Sequence, residues 1–340
     1  MEKRRLGKSG MVVSVIGLGT MTFGLQADKD ESYKIMDTAV EGGIDFFDTA
    51  EVYPVPPTKE LAGLTEEWIG DWMQDKSISR ESLIIASKIA GPAHGWFNPP
   101  VRSDKAAIDG FHIRRALEGS LKRLKTDYID LYQIHWPDTG MRALDALETL
   151  DDLIREGKIR AYGLSNDTCY GLMKWLGAAD AAGLRRADTI QNNFSVNNRR
   201  FEDELSTACL AEGVSSLPYS PLSGGVLSGK YNDGSKPKGA RFSAYLDGPE
   251  RQQKMAARFV NERSIANTKA IMNIAKRESI DPVTFAIAWS KQHDFVASTL
   301  IGVSEVAQLP AHIAAADITI SDEIMAEIDI LSETNLYPMG

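Results

Sequence analysis

The side chains best suited to chemistry in this sequence are a carboxylate, a phenol, an amine and an imidazole that follow three apolar runs. Asp48 ends the run 44–47, Tyr53 comes five residues later, and Lys88 and His135 follow two further runs. A free tyrosine has a pKa of about 10, too high for ready proton donation at neutral pH, but a lysine cation beside it lowers that pKa. Asp48 would hold this lysine by an ion pair, and a neutral His135 could polarise a substrate oxygen. Together the four groups suit proton donation to a carbonyl.

Reduction of a carbonyl group also needs a hydride, which no side chain carries, so a cofactor is expected. Two motifs point to other oxidoreductases. Tyr170 and Lys174 have the Tyr-x-x-x-Lys spacing of short-chain dehydrogenases, and 17–24 is rich in glycine. The last glycine is misplaced for a G-x-G-x-x-G loop, and no acidic residue follows at the expected distance. We therefore expect Tyr170 to serve packing or to lie exposed near the start of a helix.

The order of apolar runs and amphipathic stretches predicts the elements that position these groups. Eight runs predict strands, at 13–18, 44–47, 83–87, 128–134, 159–164, 189–191, 214–217 and 298–301. Stretches with helical periodicity lie between them, including 31–40, 60–73, 113–124 and 144–155. Eight alternating units in 340 residues predict an α/β fold, a (β/α)8 TIM barrel in one domain, 1–340. Residues 4–7 and 11–14 predict a β-hairpin cap on the barrel bottom, and 266–276 and 322–331 predict extra helices.

In such a barrel the residues just past the carboxyl ends of the strands meet at one rim. Polar residues follow six consecutive strands there, which packing alone explains poorly. These residues are Asp48, Lys88, His135, Ser165 with Asn166, Gln191, and Tyr219 with Ser220.

Composition narrows the functional class. The net charge is −9 with scattered Lys and Arg, which argues against a nucleic-acid partner. No apolar run of about 18 residues predicts a membrane span, and 1–5 lacks the apolar core of a secretory signal, so we expect a cytoplasmic protein. The two cysteines, Cys169 and Cys209, are too few for a disulfide framework or a metal cage, so buried free thiols and no metal are expected.

The rim segments resemble those of the aldo-keto reductase superfamily, from about Leu6 to the C-terminus. The catalytic segments are FDTAEVY at 47–53, ASK at 86–88 and QIHW at 133–136; the nicotinamide-binding segments are GLSN at 163–166, QNN at 191–193 and YSPL at 219–222. Within the superfamily the chain looks most like the bacterial Tas-type reductases, and potassium-channel β-subunits are more distant. The resemblance implies an NAD(P)H-dependent reductase of aldehydes and ketones, with Asp48, Tyr53, Lys88 and His135 as its catalytic tetrad.

The resemblance also implies how the cofactor is held. Ser165, Asn166 and Gln191 would bind the carboxamide, and Tyr219 would stack on the nicotinamide. The pyrophosphate would contact a loop and two cations, and the adenosine would contact a turn after the last strand. Thr20, Met21 and Asp48 would line the same cleft. The loop and cations are Ser220, Pro221, Leu222, Ser223, Gly224, Lys230 and Arg241, and the turn contains Gly302, Ser304 and Gln308. Trp96, Phe97 and Trp136 would shape the substrate pocket.

Two choices stay open at this point. NADP(H) is favoured because of the family, but Glu305 stands where many NADPH-using members place a cation, so NAD(H) is the alternative. The other function considered is a cofactor-bound regulatory or scaffold subunit like the channel β-subunits. The sequence does not identify the physiological carbonyl compound, and a homo-oligomer is possible but undetermined.

Overall fold

Eight parallel strands form the centre of the molecule in the computed structural model, which describes residues 1–92, 99–104 and 106–339. The strands are β3 (Ile16–Gly19), β4 (Phe46–Asp48), β5 (Ile84–Ile89), β6 (Ile129–Ile134), β7 (Ile159–Ser165), β8 (Thr189–Gln191), β9 (Ser215–Ser216) and β10 (Thr299–Gly302). From β3 to β9 each strand pairs with the next along the chain, and β10 pairs with β3. Bridges from Ser216 to Val296 and from Tyr219 to Leu300 join the β9 and β10 segments. The predicted α/β barrel is therefore confirmed.

Helices connect the strands and extend the chain beyond the last of them. They are α1 (Lys29–Glu41), α2 (Leu64–Asp75), α3 (Gly110–Leu124), α4 (Ala143–Arg155), α5 (Cys169–Ala182), α6 (Leu205–Glu212), α7 (Arg241–Leu246), α8 (Glu250–Phe259), α9 (Glu262–Arg277), α10 (Pro282–Lys291), α11 (Leu309–Ala314) and α12 (Asp322–Thr334). The predicted helices at 266–276 and 322–331 fall within α9 and α12. Among the described helices, none combines the length and apolarity that a membrane crossing needs.

Helix α3 shows how sequence sets these elements. The Asp109 side chain accepts a hydrogen bond from the His112 amide and so satisfies one free N–H at the helix start. Apolar residues then recur at helical spacing, and Ile113, Leu117 and Leu124 are buried against the barrel. Helix α3 covers the predicted helix at 113–124 and has about one extra turn at its start.

The N-terminal hairpin closes the bottom of the barrel, as predicted. Strands β1 (Lys3–Arg5) and β2 (Val12–Ser14) pair antiparallel. Leu6, Met11 and Val13 pack into one apolar cluster with side chains from inside the barrel. Arg4 Nη1 donates to the carbonyls of Lys291 and Val296 at 2.6 and 2.9 Å, which ties the hairpin to the chain around β10.

Three predicted boundaries were wrong. The run 13–18 contains the end of β2 and the start of β3, because the chain passes from the hairpin into the barrel at Val15. The run 214–217 yields the two-residue strand β9. The helix predicted at 60–73 begins at Leu64, after Gly63 with its positive φ of 92°; the prolines at 54, 56 and 57 disfavour helix in the segment before it.

Candidate active site

Asp48 and Lys88 form a buried ion pair at the carboxyl-end rim. They lie on the adjacent parallel strands β4 and β5, with Asp48 in register with Ala86. Lys88 Nζ is 2.5 Å from Asp48 Oδ2 and donates to the Thr49 carbonyl at 2.8 Å. The same nitrogen is 3.4 Å from the Tyr53 hydroxyl. The structure therefore brings together the carboxylate, amine and phenol named from the sequence.

The second oxygen of Asp48 is held by two glutamine side chains. Gln133 Nε2 and Gln191 Nε2 donate to Asp48 Oδ1 at 3.0 and 2.8 Å, and Gln191 Nε2 is also 3.2 Å from Gln133 Oε1. Sequence reasoning assigned no role to Gln133. The available signal was a polar side chain within the apolar strand β6, in register with Lys88 of β5. Both glutamines are buried, so they fix the orientation of Asp48.

His135 lies beside the phenol. Its ring meets the Tyr53 ring edge-on with centroids 5.6 Å apart, and it stacks on Trp136 at 3.7 Å. Burial, together with the Lys88 charge, lowers the pKa of His135 well below 6.5. The imidazole is therefore neutral at neutral pH, as expected. Its Nδ1 is buried and has no hydrogen-bond partner among the described residues.

The pKa of Tyr53 shifts in the direction opposite to that expected. Burial, with the Asp48 charge, raises the pKa of the phenol well above 10. The expectation that the pKa of Tyr53 lies below 10 was therefore wrong, because burial disfavours the phenolate and the nearby Asp48 charge disfavours it further. Burial also lowers the pKa of Lys88, against the opposing effect of Asp48.

A hydrogen-bonded chain joins the other nicotinamide-binding candidates to His135. The Tyr219 hydroxyl donates to Asn166 Oδ1 at 2.7 Å, and Asn166 Nδ2 donates to the His135 carbonyl at 2.9 Å. Ser165 Oγ donates to the Gln191 carbonyl at 2.9 Å. On the other side of Asp48, Thr20 Oγ1 donates to the Asp48 carbonyl at 2.9 Å. These residues thus line one continuous rim.

A tight loop with two nearby cations follows Tyr219. The loop comprises Ser220, Pro221, Leu222, Ser223 and Gly224, and it continues into a 3-10 helix, Ser223–Ser228. A Cβ on Gly224 would lie 3.1 Å from an Arg241 nitrogen, and a Cβ on Gly225 would lie 2.7 Å from Lys230 Nζ. Burial and the Arg241 charge lower the pKa of Lys230. In the part of the chain that the structure describes, neither cation pairs with a carboxylate, so the loop and cations fit an anionic group such as a pyrophosphate.

The predicted adenosine turn is a compact loop after β10. Gln308 Oε1 accepts from the Ser304 amide at 2.9 Å, and Gln308 Nε2 lies 3.4 Å from Ser304 Oγ. Gly302 and Glu305 are exposed. Sequence reasoning missed Glu31 of α1, whose Oε1 accepts from the Val306 amide at 2.7 Å.

The proposed substrate-pocket residues are only partly described. Trp136 stacks on His135, and both Trp136 and Met21 pack against the apolar cluster that contains Tyr53. Trp96 and Phe97 lie outside the described residues. Tyr170, of the competing motif, is 76% exposed on α5, away from any buried base, as expected of a surface residue.

Fold and site together define an α/β barrel with a polar, partly charged rim, and comparison with known proteins identifies its family. A model of the aldo/keto reductase family matches residues 15–333, and the chain belongs to that family. It is 40% identical to Protein tas of Escherichia coli (strain K12) over 99% of both chains. It is 32% identical to the uncharacterized oxidoreductase YrpG of Bacillus subtilis (strain 168), over 96% of this chain and 94% of that protein. The identity is 28% to the probable voltage-gated potassium channel subunit beta of Arabidopsis thaliana, over 94% and 92%.

Proposed function

We propose that this protein reduces aldehydes or ketones to alcohols with NADPH, and that Tyr53 supplies the proton. The observation that carries the proposal is the buried chain from Asp48 through Lys88 to the Tyr53 hydroxyl, with distances of 2.5 and 3.4 Å. We also propose that the whole chain, 1–340, works as one barrel unit in the cytoplasm on a small-molecule substrate.

The cofactor fits the rim by its chemistry. Lys230, Arg241 and the loop around Gly224 would hold the pyrophosphate, while Ser165, Asn166 and Gln191 would bind the carboxamide and Tyr219 would stack on the ring. When bound, reduced nicotinamide supplies a hydride to the carbonyl carbon of the substrate.

The side chains of the site would supply the proton. A neutral His135 orients and polarises the carbonyl oxygen, and Tyr53 donates its proton to that oxygen as the alcohol forms. The raised pKa of Tyr53 keeps the phenol protonated at neutral pH. Donation is still favourable because the oxygen of a reduced carbonyl is a stronger base than a phenolate. Lys88 stabilises the phenolate left behind, and Asp48, held by Gln133 and Gln191, fixes Lys88.

NADP(H) is the proposed cofactor, with NAD(H) as the alternative. Exposed Glu305 disfavours a 2′-phosphate at the adenosine turn. A cation lies close to the same turn, however, because Lys34 Nζ is 3.4 Å from Oε2 of Glu31, whose other oxygen binds the Val306 amide. Because Lys34 pairs with Glu31, this cation adds no net positive charge to the turn, and NADP(H) is proposed on the ground of the family.

The test is the initial rate of NADPH and NADH oxidation with 4-nitrobenzaldehyde, methylglyoxal and a broader carbonyl panel. We expect turnover of at least one aldehyde, with a higher kcat/KM for NADPH. A higher value for NADH would refute the cofactor choice.

The second candidate function is a regulatory or scaffold subunit that binds the cofactor but turns over little. The observation in its favour is the similarity to the potassium channel subunit beta of Arabidopsis thaliana. Tight NADPH binding without turnover of any carbonyl in the panel would favour this function over reduction.

A further inference from the structure

A second buried ion pair, Glu51 with Arg102, lies behind the phenol. Glu51 is two residues before Tyr53, and its carboxylate is 4% exposed, while the Arg102 side chain is 13% exposed. Arg102 Nη1 contacts both oxygens of Glu51. Arg102 Nη2 donates to the Ala90 carbonyl at 2.6 Å, and the Ala90 amide donates to Glu51 Oε1 at 2.7 Å.

These contacts join three separate segments of the rim. Glu51 belongs to the loop that carries Tyr53, and Ala90 is two residues after Lys88. Arg102 comes from the segment 99–104. Apolar contacts follow the same path, because Val101 packs with Tyr53 and Ala90 in one cluster. The pair therefore fixes the phenol loop relative to the strand that carries Lys88.

The backbone at Arg102 indicates that its position is imposed by its surroundings. Arg102 and Ser103 have positive φ values of 48° and 57°. Such conformations are unfavourable for residues other than glycine and persist where other contacts fix them. A buried ion pair is also often no more stabilising than well-packed apolar side chains of similar volume, so stability alone is a weak reason for it.

We infer that Arg102 is a positioning residue for the reaction, because it holds Glu51 and Ala90 so that the Tyr53 hydroxyl stays beside Lys88 and His135. Arg102 acts through Glu51. The inference rests on the proposed role of Tyr53 as proton donor.

The test compares Arg102→Met with a matched change at another ion pair. Arg80 is 17% exposed, its Nη2 is 2.6 Å from Asp130 Oδ2, and its Nη1 donates to the Leu83 carbonyl, just before β5. Both substitutions remove a largely buried guanidinium that joins a carboxylate to a backbone carbonyl. Arg80, however, lies at the opposite end of the barrel strands from Tyr53.

We expect Arg102→Met to lower kcat by about 10- to 100-fold, the effect of misplacing a reacting group by about 1 Å. Its Kd for NADPH, followed by cofactor fluorescence, should stay at the wild-type value. Arg80→Met should lower the melting temperature but keep kcat. Arg102→Lys should recover part of kcat, because an ammonium can pair with Glu51 but lacks the fork that also reaches Ala90.

A wild-type kcat in folded Arg102→Met, or equal losses of kcat in Arg102→Met and Arg80→Met, would overturn the inference. If Arg102→Met does not fold, Arg102→Lys decides: wild-type kcat there overturns the inference. If the wild-type protein reduces no carbonyl compound, the proposed function fails separately. Amide hydrogen exchange of peptides covering 50–56 then tests the pair: faster exchange in Arg102→Met than in Arg80→Met supports it, and equal exchange overturns it.

Discussion

Asp48 is a fixed acceptor at the centre of the site. One of its oxygens pairs with Lys88, and the other accepts from Gln133 and Gln191. The sequence predicted the pairing of Asp48 with Lys88, because both residues follow adjacent strands. The sequence did not predict the contact from Gln133. Only the curvature of the barrel brings the side chains of Gln133 on β6 and Gln191 on β8 to the same oxygen of Asp48 on β4.

Gln133→Leu tests whether the orientation of Asp48 matters. Loss of a hydrogen bond to a charged group costs about 1.5–3 kcal/mol, so kcat should fall by about 10- to 100-fold. The Kd for NADPH should not change, because no contact with the cofactor is proposed for Gln133. Gln191→Leu is the comparison, and it should weaken NADPH binding as well. An unchanged kcat in Gln133→Leu would contradict a role in orienting Asp48.

The pH dependence of kcat follows from the two pKa shifts at the site. The pKa of His135 is lowered well below 6.5, and that of Tyr53 is raised well above 10. Both groups therefore keep one protonation state, neutral imidazole and neutral phenol, from about pH 6.5 to 10. We expect kcat for carbonyl reduction to show no acidic limb near pH 6.5 in steady-state assays, and to fall on the basic side where Lys88, whose pKa is also lowered, loses its proton. An acidic limb near pH 6.5 that disappears in His135→Asn would contradict this account.

The elements of the fold were predicted more completely than their ends. The periodicity of apolar residues identified the strands and helices near the candidate active site, because each element buries one face against the barrel. The boundary of α2 was missed because the left-handed backbone at Gly63 interrupts the helix that the apolar spacing predicts. The contact of Glu31 with the turn after β10 was also missed, since it joins α1 to a segment 275 residues away.

The contact between the hairpin and the barrel bottom makes stability depend on pH. Burial raises the pKa of Asp188 to about 6, while Asp188 Oδ1 accepts from the Lys8 amide at 2.9 Å. A carboxyl whose pKa is raised by folding binds its proton more tightly in the folded state. The free energy of unfolding therefore falls as pH rises from about 4 to about 6 and is then constant.

Asp188→Asn removes the carboxyl group whose titration makes the free energy of unfolding depend on pH. We expect its melting temperature to exceed that of the wild type at pH 7.5 and to match it at pH 4, as followed by circular dichroism. The gain should be about 1 kcal/mol or somewhat more, since Asp188 is only partly buried. A variant less stable than the wild type at pH 7.5 would show that ionised Asp188 stabilises the hairpin contact.

The turn after β10 offers a test of cofactor choice at the scale of a single structural element. Glu305→Lys replaces a repulsive charge near the proposed 2′-phosphate by an attractive one, so the Kd for NADPH should fall by about fivefold at low salt. The Kd for NADH should change little. Glu323→Lys on α12 makes the same change of net charge and controls for it. Equal effects of Glu305→Lys on both cofactors would place the 2′-phosphate away from this turn.

At the scale of the whole molecule, the barrel brings residues from 48 to 219 onto one rim. The sequence was sufficient for this arrangement, because parallel strands deliver their carboxyl ends to the same side and eight such units close. The sequence was not sufficient to predict the raised pKa of Tyr53. Enclosure of Tyr53 depends on the packing of Ala50, Val52 and Ala90 around it, which no pattern along the chain reports.

The central claim is that Tyr53 donates the proton, and kcat of Tyr53→Phe tests it most directly. Tyr170→Phe is the matched control, because the Tyr170 side chain is 76% exposed and lies outside the rim. We predict that Tyr53→Phe lowers kcat for aldehyde reduction by at least about 100-fold, with the Kd for NADPH unchanged, while Tyr170→Phe retains wild-type kcat. A Tyr53→Phe variant that retains most of its kcat would contradict the account.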